Sequence, residues 1–216
     1  MSSPTRRGPG RPRKLPADEQ RALVLAAARG AFAAHGAQAA TIEQIARDAG
    51  VSRQAVYEQF GDKNTLFNEV VADLEERAFA AIGSVAAGDA ELELRAWARK
   101  NYAAMFTFVA EHPDALSVLG EAERLGDPAM TRLRARLARV YTEASRRRWA
   151  EFGVEPGRAD TALVTMYFAM TEALVNLTWD GDPPDREALI DLLTEFTIGG
   201  VVRLYEQASD VIARMR

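Results

Sequence analysis

The residues Thr41–Phe60, TIEQIARDAGVSRQAVYEQF, constrain this chain more than any other stretch. Ile42, Ile45, Ala46 and Ala49 fall at i, i+3, i+4 and i+7, one apolar stripe on a helix of period 3.6. Thr41 precedes that helix and Gln44 follows three residues later. This is the spacing of a capping box, in which the hydroxyl accepts an orphan N–H and the glutamine reaches back. Gly50 supplies a left-handed turn at little steric cost, and Ser52 caps a second helix. There Val56 and Phe60, with Val51 before them, face the first helix, so Arg53, Gln54, Tyr57 and Glu58 point outward. Helices this short cannot bury their own stripes, so their neighbours must close a core over them.

Both neighbours are patterned for that. From Ala17 to about His35 a helix carries Val24, Leu25, Ala28, Ala31 and Phe32 on one face. Pro16 stands at its entrance, Asp18 and Glu19 suit its N-terminal dipole, and Gly36 stops it. After Phe60, Gly61-Asp62 reads as a turn and cap. The helix that follows, about Asp62 to Ala86, carries Leu66, Phe67, Val70, Leu74, Ala78 and Ile82 into the remainder of the chain. Two short helices across a glycine turn, with an outward polar face, have the spacing of a helix-turn-helix DNA reader.

Between about Arg21 and Phe67 the sequence resembles the tetracycline-repressor (TetR) family. The likeness is carried by Val24-Leu25, Ala28, Phe32, Gly36, Thr41, Ile45-Ala46, Ala49-Gly50-Val51-Ser52, Tyr57, Phe60, Lys63 and Leu66. It implies a three-helix DNA-binding head, a helical ligand-binding body, a twofold dimer and, as the family's usual mode, repression. Two positions depart from the family pattern. Glu58 repels phosphate, and Gln59 stands where the family often carries histidine or tyrosine. Glu58 is either an acceptor for cytosine N4 or a solvated residue that avoids DNA.

Composition narrows the remainder. The 216 residues suffice for two unequal units, expected at 17–67 and 68–216. No run approaches the roughly 18 apolar residues of a membrane span, and the N-terminus lacks a signal-peptide apolar core, so a cytoplasmic protein without membrane contact is expected. With no cysteine and only His35 and His112 as imidazoles, neither a metal site, a cofactor nor an enzyme is expected. The net charge of −4 divides unevenly: residues 1–67 carry ten Arg or Lys against six acids, which leaves −8 beyond them. A basic head on an acidic body suits a protein that turns one end toward DNA.

Residues 1–16, MSSPTRRGPGRPRKLP, hold too little apolar surface to fold and are expected to form a disordered basic arm. Its core Gly10-Arg11-Pro12-Arg13, extended by Lys14, resembles an AT-hook, in which arginines lie in a narrow A·T-rich minor groove. A solubilising tail is the alternative. In the head, Arg53 and Gln54 are the expected base readers, pairing with guanine and adenine, and Ala55 is placed to touch a thymine methyl. Thr41, Tyr57 and Lys63 are expected on phosphates.

The remainder reads as helices near Ala90–Glu111, Asp114–Arg124, Pro128–Phe152, Ala159–Trp179 and Arg186–Arg214, for about nine helices in an all-α chain without strands. Trp97, Asn101, Met105, Phe106, Met130, Tyr141, Met166, Tyr167 and Met170 are the expected pocket residues for a small, largely apolar effector. The seven arginines of Arg132–Arg148 read mostly as a solvated face, with an anionic effector or a partner as the sharper alternative. Long stripes on the last two helices, including Leu163, Leu174, Leu177, Leu192, Phe196, Gly200 and Leu204, predict a four-helix contact between two copies. The sum is a homodimeric regulator on double-stranded DNA with a palindromic operator, most readily a repressor released by its effector. An architectural DNA binder with no effector is the other reading.

Overall fold

A computed structural model describes residues 16–88, 92–151, 157–177, 182 and 184–215. Arg11, Arg13 and Lys14 lie outside them. The described residues form an all-α fold of two compact units, one through Val70 and one from Val71 onward, with the boundary inside a helix.

The first unit holds α1 (Ala17–Ala39), α2 (Ile42–Asp48), α3 (Arg53–Phe60) and the start of α4 (Lys63–Ala78). Val24, Ala28, Phe32, Ile45, Val56 and Leu66 are almost wholly buried, the core demanded by the stripes of two short helices. Phe32 meets Phe67 edge to face at 5.1 Å. Glycines set the chain reversals. At Gly36 the backbone swings to φ 77°, ψ 162°, breaking the regular part of α1 one residue past His35. Gly50, at φ 69°, follows α2. There Val51 N–H donates to Ala46 O (2.9 Å) and Gly50 N–H to Arg47 O (3.1 Å), a Schellman ending.

In the second unit α4 passes without a loop into a π-helical turn, Phe79–Gly83, and then α5 (Ser84–Ala87). The single helix expected from Asp62 to Ala86 thus carries an extra residue per turn near its end, which its apolar spacing did not betray. There follow α6 (Leu94–Glu111), α7 (Ala115–Arg124), α8 (Ala129–Glu151), α9 (Arg158–Val175), α10 (Arg186–Gln207) and α11 (Ser209–Ala213). The helix expected to run to Arg214 breaks at Ala208, whose φ −136°, ψ 38° is not helical. Among the described residues no helix is long and apolar enough to cross a membrane.

α10 packs along α6, α9 along α8, and α6 also meets α9 and the π turn. Arginine–carboxylate pairs tie these layers: Arg99 to Asp191 (2.8 Å) and Glu187 (2.6 Å), Arg134 to Glu172 (2.6 Å), Arg146 to Asp160 (2.9 Å), Arg136 to Glu76 (2.6 Å) and Arg132 to the buried Glu75 (2.5 Å). The arginine run of α8 is therefore largely a set of cross-helix struts. Arg148 is buried, donates to Leu92 O (3.1 Å) and lies over the Trp97 ring at 4.8 Å. The sequence cannot reveal this, because each arginine's acid comes from a distant segment.

Candidate nucleic-acid interface and body cavities

The exposed face of α3 is built from its cap outward. The Ser52 hydroxyl accepts from Ala55 N–H (3.1 Å), and Thr41 does the same for Gln44 N–H (3.2 Å) while Gln44 Oε1 accepts from Thr41 N–H (3.1 Å). Both caps stand at the spacing read from sequence. Val56 and Phe60 bury one side of α3, which leaves Arg53, Gln54, Tyr57 and Glu58 exposed and Ala55 half-buried. Tyr57 is thus a large aromatic ring held outside the core.

Two of these side chains already have acidic neighbours. Arg53 lies 3.8 Å from Glu43 of α2, and Gln54 Nε2 donates to Glu58 Oε1 at 2.8 Å. The i, i+4 spacing of Gln54 and Glu58 carried that signal in the sequence. Gln59 faces inward, donating to Gln20 Oε1 (2.7 Å) and so joining α3 to α1. Arg21 closes the same seam, its guanidinium 4.6 Å from the Phe60 ring centroid and paired with Glu69.

Lys63 also has a structural engagement. Its Nζ donates to Gln38 O (2.6 Å) and Ala40 O (3.0 Å), the carbonyls at the end of α1, where a cation is favoured. The backbone before it turns sharply at Gly61 (φ 76°), and Asp62 Oδ1 accepts from Thr65 N–H (2.7 Å) to cap α4. The N–H groups of Thr65 and Asn64 hold the Asp62 carboxyl below its usual range.

The second unit contains two apolar cavities among its described residues. One, of about 60 Å³, lies between α6, α8, α9 and α10 and is lined by Trp97, Tyr141, Asp160, Leu163, Tyr167 and Val201 among others. A second, of about 70 Å³, includes Ile82 of the π turn with Met105, Met130, Leu133, Phe168 and the Arg134–Glu172 pair. Each has room for a few waters or a compact ligand. Of the expected pocket residues, Trp97, Tyr141 and Tyr167 line the first and Met105 and Met130 the second. Four line neither. Asn101 is buried and bonded to Trp97 O (2.7 Å), Phe106 is packed away, Met170 is half-buried, and Met166 is 54% exposed. Met166 and its neighbour Tyr167, about 100° apart on α9, fall outside and inside the packed face, and that phase was not fixed by the pattern.

The first cavity is polar in an unusual way. Trp97 Nε1 is buried with no hydrogen-bond partner among the described residues, and the buried hydroxyls of Tyr141 and Tyr167 have no partner beyond a weak contact with each other. A buried orphan of this kind costs about 1–3 kcal/mol. The two hydroxyls lie near enough to sense each other's charge, and burial raises both pKa values. Tyr102 bonds Thr197 Oγ1 beside them, and burial pushes its pKa up to about 12. Each tyrosine then stays protonated in the folded protein where the unfolded chain ionises. The unfolded state binds fewer protons above pH 10, so stability falls as pH rises from 10 toward 12. The slope is about 1.4 kcal/mol per pH unit for each such tyrosine. Circular dichroism melts with tyrosinate absorbance should show ionisation arriving with unfolding; tyrosinate formed in the still-folded protein would contradict this.

Two apolar stripes face outward. On α9 and just beyond it they comprise Met166, Ala173 and Leu177, and on α10 Leu192 and Phe196, 59% and 64% exposed, with Gly199 and Gly200 a further turn along. Leu174 and Leu204 are half-buried beside them, whereas Leu163 turns inward to the first cavity. A Cβ added at Gly199 or Gly200 would meet no described atom within 4 Å.

A capped pair of helices across a left-handed glycine, presenting arginine, glutamine and tyrosine from one exposed face, defines a helix-turn-helix DNA-binding regulator. Residues 24–70 match the model for "Bacterial regulatory proteins, tetR family". The match covers the DNA-binding segment, over which the chain is similar to that family. Among solved structures it is similar to a TetR-like transcriptional regulator from Rhodococcus sp. RHA1 (TM-score 0.70, 20% identity, 88% of this chain and 99% of that one). It is similar also to a tetR-family regulator from Streptomyces coelicolor (TM-score 0.69, 22% identity, 93% and 89%). A third is the TetR-family regulator PfmR from Thermus thermophilus (TM-score 0.65, 18% identity, 82% and 97%). At these identities the likeness establishes the fold. No curated protein matches the chain in sequence.

Proposed function

We propose that this DNA-binding regulator acts as a homodimer on a palindromic operator and is released from it by a small, largely apolar effector, the mode of a repressor. The exposed face of α3 carries the proposal: Arg53 and Gln54 are the side-chain types that pair bidentately with guanine and adenine, and the helix beneath them is fixed by cap and core. Ala55 would meet a thymine methyl, and Thr41 and Tyr57 would contact phosphate. We take residues 17–67 as the reader and 68–216 as the effector and dimerisation domain. Arg11, Arg13 and Lys14 of the arm would add minor-groove contacts.

The effector must bind one arrangement of the two heads better than the other, since equal affinity shifts nothing. Chain connectivity supports such a link. α4 leaves the reader and runs directly into the π turn, whose Ile82 lines the second cavity. π turns recur at functional sites.

Lys63 would serve a phosphate with the ammonium proton not used by Gln38 O and Ala40 O. Lys63→Ala is expected to weaken binding alike on all sequences and to flatten the salt slope by about one unit. The lost carbonyl bonds should also lower stability by about 1 kcal/mol. A destabilised variant with an unchanged salt slope would leave Lys63 as a clamp on α1 alone.

The deciding experiment is fluorescence anisotropy on the DNA upstream of the protein's own coding region against a scrambled duplex, at two salt concentrations. Preference for its own region at both salts is expected. Removing residues 1–14 should then cost more affinity on A·T-flanked than on G·C-flanked sites. Equal, salt-sensitive binding to both duplexes would favour an architectural DNA binder instead.

A further inference from the structure

Resting on the reading of the second unit as an effector domain, we infer that the α6–α8–α9–α10 cavity selects a neutral, compact ligand carrying an acceptor oxygen, such as a ketone or ester carbonyl, on an apolar frame. The walls supply the selection. Trp97 Nε1–H only donates and has no partner among the described residues, while the buried Tyr141 and Tyr167 hydroxyls have at most each other to bond and so leave at least one further proton to give, in a lining otherwise mostly hydrocarbon. A carbonyl oxygen offers lone pairs to such donors, whereas a hydrocarbon leaves every one of them unpaired.

Charged ligands fit the same walls poorly. Asp160, buried at the cavity edge, accepts from Arg146 Nε (2.9 Å) and Gly157 N–H (3.0 Å), so a carboxylate is fixed there and an entering anion would face it. A cation would find the Asp160 carboxylate already engaged by Arg146 and the Trp97 ring already taken by the Arg148 guanidinium at 4.8 Å. The discrimination is strongest against analogues that lack the oxygen, because a site built around buried donors rejects a ligand that leaves them unpaired more firmly than an apolar site rejects a size change.

Four small probes of similar frame separate the cases: cyclobutanone, methylenecyclobutane, cyclobutanecarboxylate and cyclobutylamine, titrated calorimetrically into the full-length protein. Cyclobutanone is expected to bind about tenfold or more tighter than each of the others. In Tyr141→Phe/Tyr167→Phe that ratio over methylenecyclobutane should shrink to about threefold or less, with methylenecyclobutane itself little changed. Trp97→Phe gives an independent loss should the double variant fold poorly by circular dichroism. Equal binding of cyclobutanone and methylenecyclobutane, a preference for either ion, a ratio that survives the variants, or no binding of any probe overturns the inference. Operator release separates this from the regulatory reading. Cyclobutanone that binds without altering DNA affinity counts against effector control and leaves the selectivity standing. Release by methylenecyclobutane as effective as by cyclobutanone does the reverse.

Discussion

Replacing Leu192 and Phe196 together by glutamate is expected to yield a folded monomer whose operator affinity is lower by a factor of about 10³. In one chain both side chains stand mostly in solvent, so the substitution removes little from the monomer, within about 0.5 kcal/mol. Against a second copy the account differs. Each large apolar side chain withdrawn from water contributes roughly 1.5–3 kcal/mol, and it occurs twice in a twofold contact. A carboxylate in its place adds a desolvation cost. Once the two readers are separate molecules, the second half-site no longer benefits from the effective concentration set by the first, and this accounts for the size of the loss. Light scattering gives the mass and anisotropy the affinity; a variant that remains dimeric would move the interface off this face. Gly200→Ala adds a signed test. Nothing described opposes the new Cβ within a chain, and alanine in a helix interior is better than glycine by about 1 kcal/mol, so the isolated helix gains. A backbone of the partner approaching there would turn that gain into a weaker dimer. A more stable protein with unaltered dimerisation would remove Gly200 from the contact.

The first unit was legible because local rules decide it. A threonine three residues before a glutamine, a serine three before an alanine N–H and a glycine at the left-handed position between α2 and α3 each specify a feature that forms as written. Inward and outward residues on α3 followed from the period of a single helix packed on one side. Lys63 shows where such rules end. Its position at the start of α4 suggested a free amine, but the carbonyls of Gln38 and Ala40 come from another segment, and no local pattern announces them.

The second unit was legible as helices and less so as a site. Apolar residues occupy more than half the circumference of α9, so its period could not decide that Leu163 belongs to the dimer face and Met166 and Met170 to the pocket. Packing against α8 and α6 turned Leu163 and Tyr167 inward and left Met166 outside. The same indeterminacy affected the charges. Arg132, Arg134, Arg136 and Arg146 read as a solvated face because their acids, Glu75, Glu172, Glu76 and Asp160, lie 14 to 60 residues away. Asp160 itself was recoverable. A carboxylate three residues after Gly157, in the first turn of α9, has the spacing to accept the Gly157 N–H, which it does.

Arg53→Ala is expected to cost about 1–3 kcal/mol at each half-site of a palindromic operator, hence roughly 30-fold to 10⁴-fold for the dimer, and to abolish discrimination at one base position per half-site. The loss should be sequence-dependent, in contrast with the uniform loss at Lys63, because a guanidinium paired to guanine O6 and N7 supplies information as well as charge. Glu43 sets the reference state from which that cost is measured. It stands 3.8 Å from Arg53 with both side chains largely exposed, a pair worth about 0–1 kcal/mol, so DNA can take the arginine from it cheaply. Glu43→Gln should therefore tighten binding by the dimer less than about 30-fold, without altering which base is preferred. Gln54 is held more firmly, at 2.8 Å from Glu58, through one amide proton. The second proton and the Oε1 acceptor are the pair an adenine edge requires, so Glu58 orients the glutamine while remaining itself an obstacle to phosphate. Anisotropy on duplexes permuted one base at a time distinguishes these roles. A uniform loss in Arg53→Ala across all permutations would make Arg53 a backbone contact and shift base reading to the rest of the α3 face.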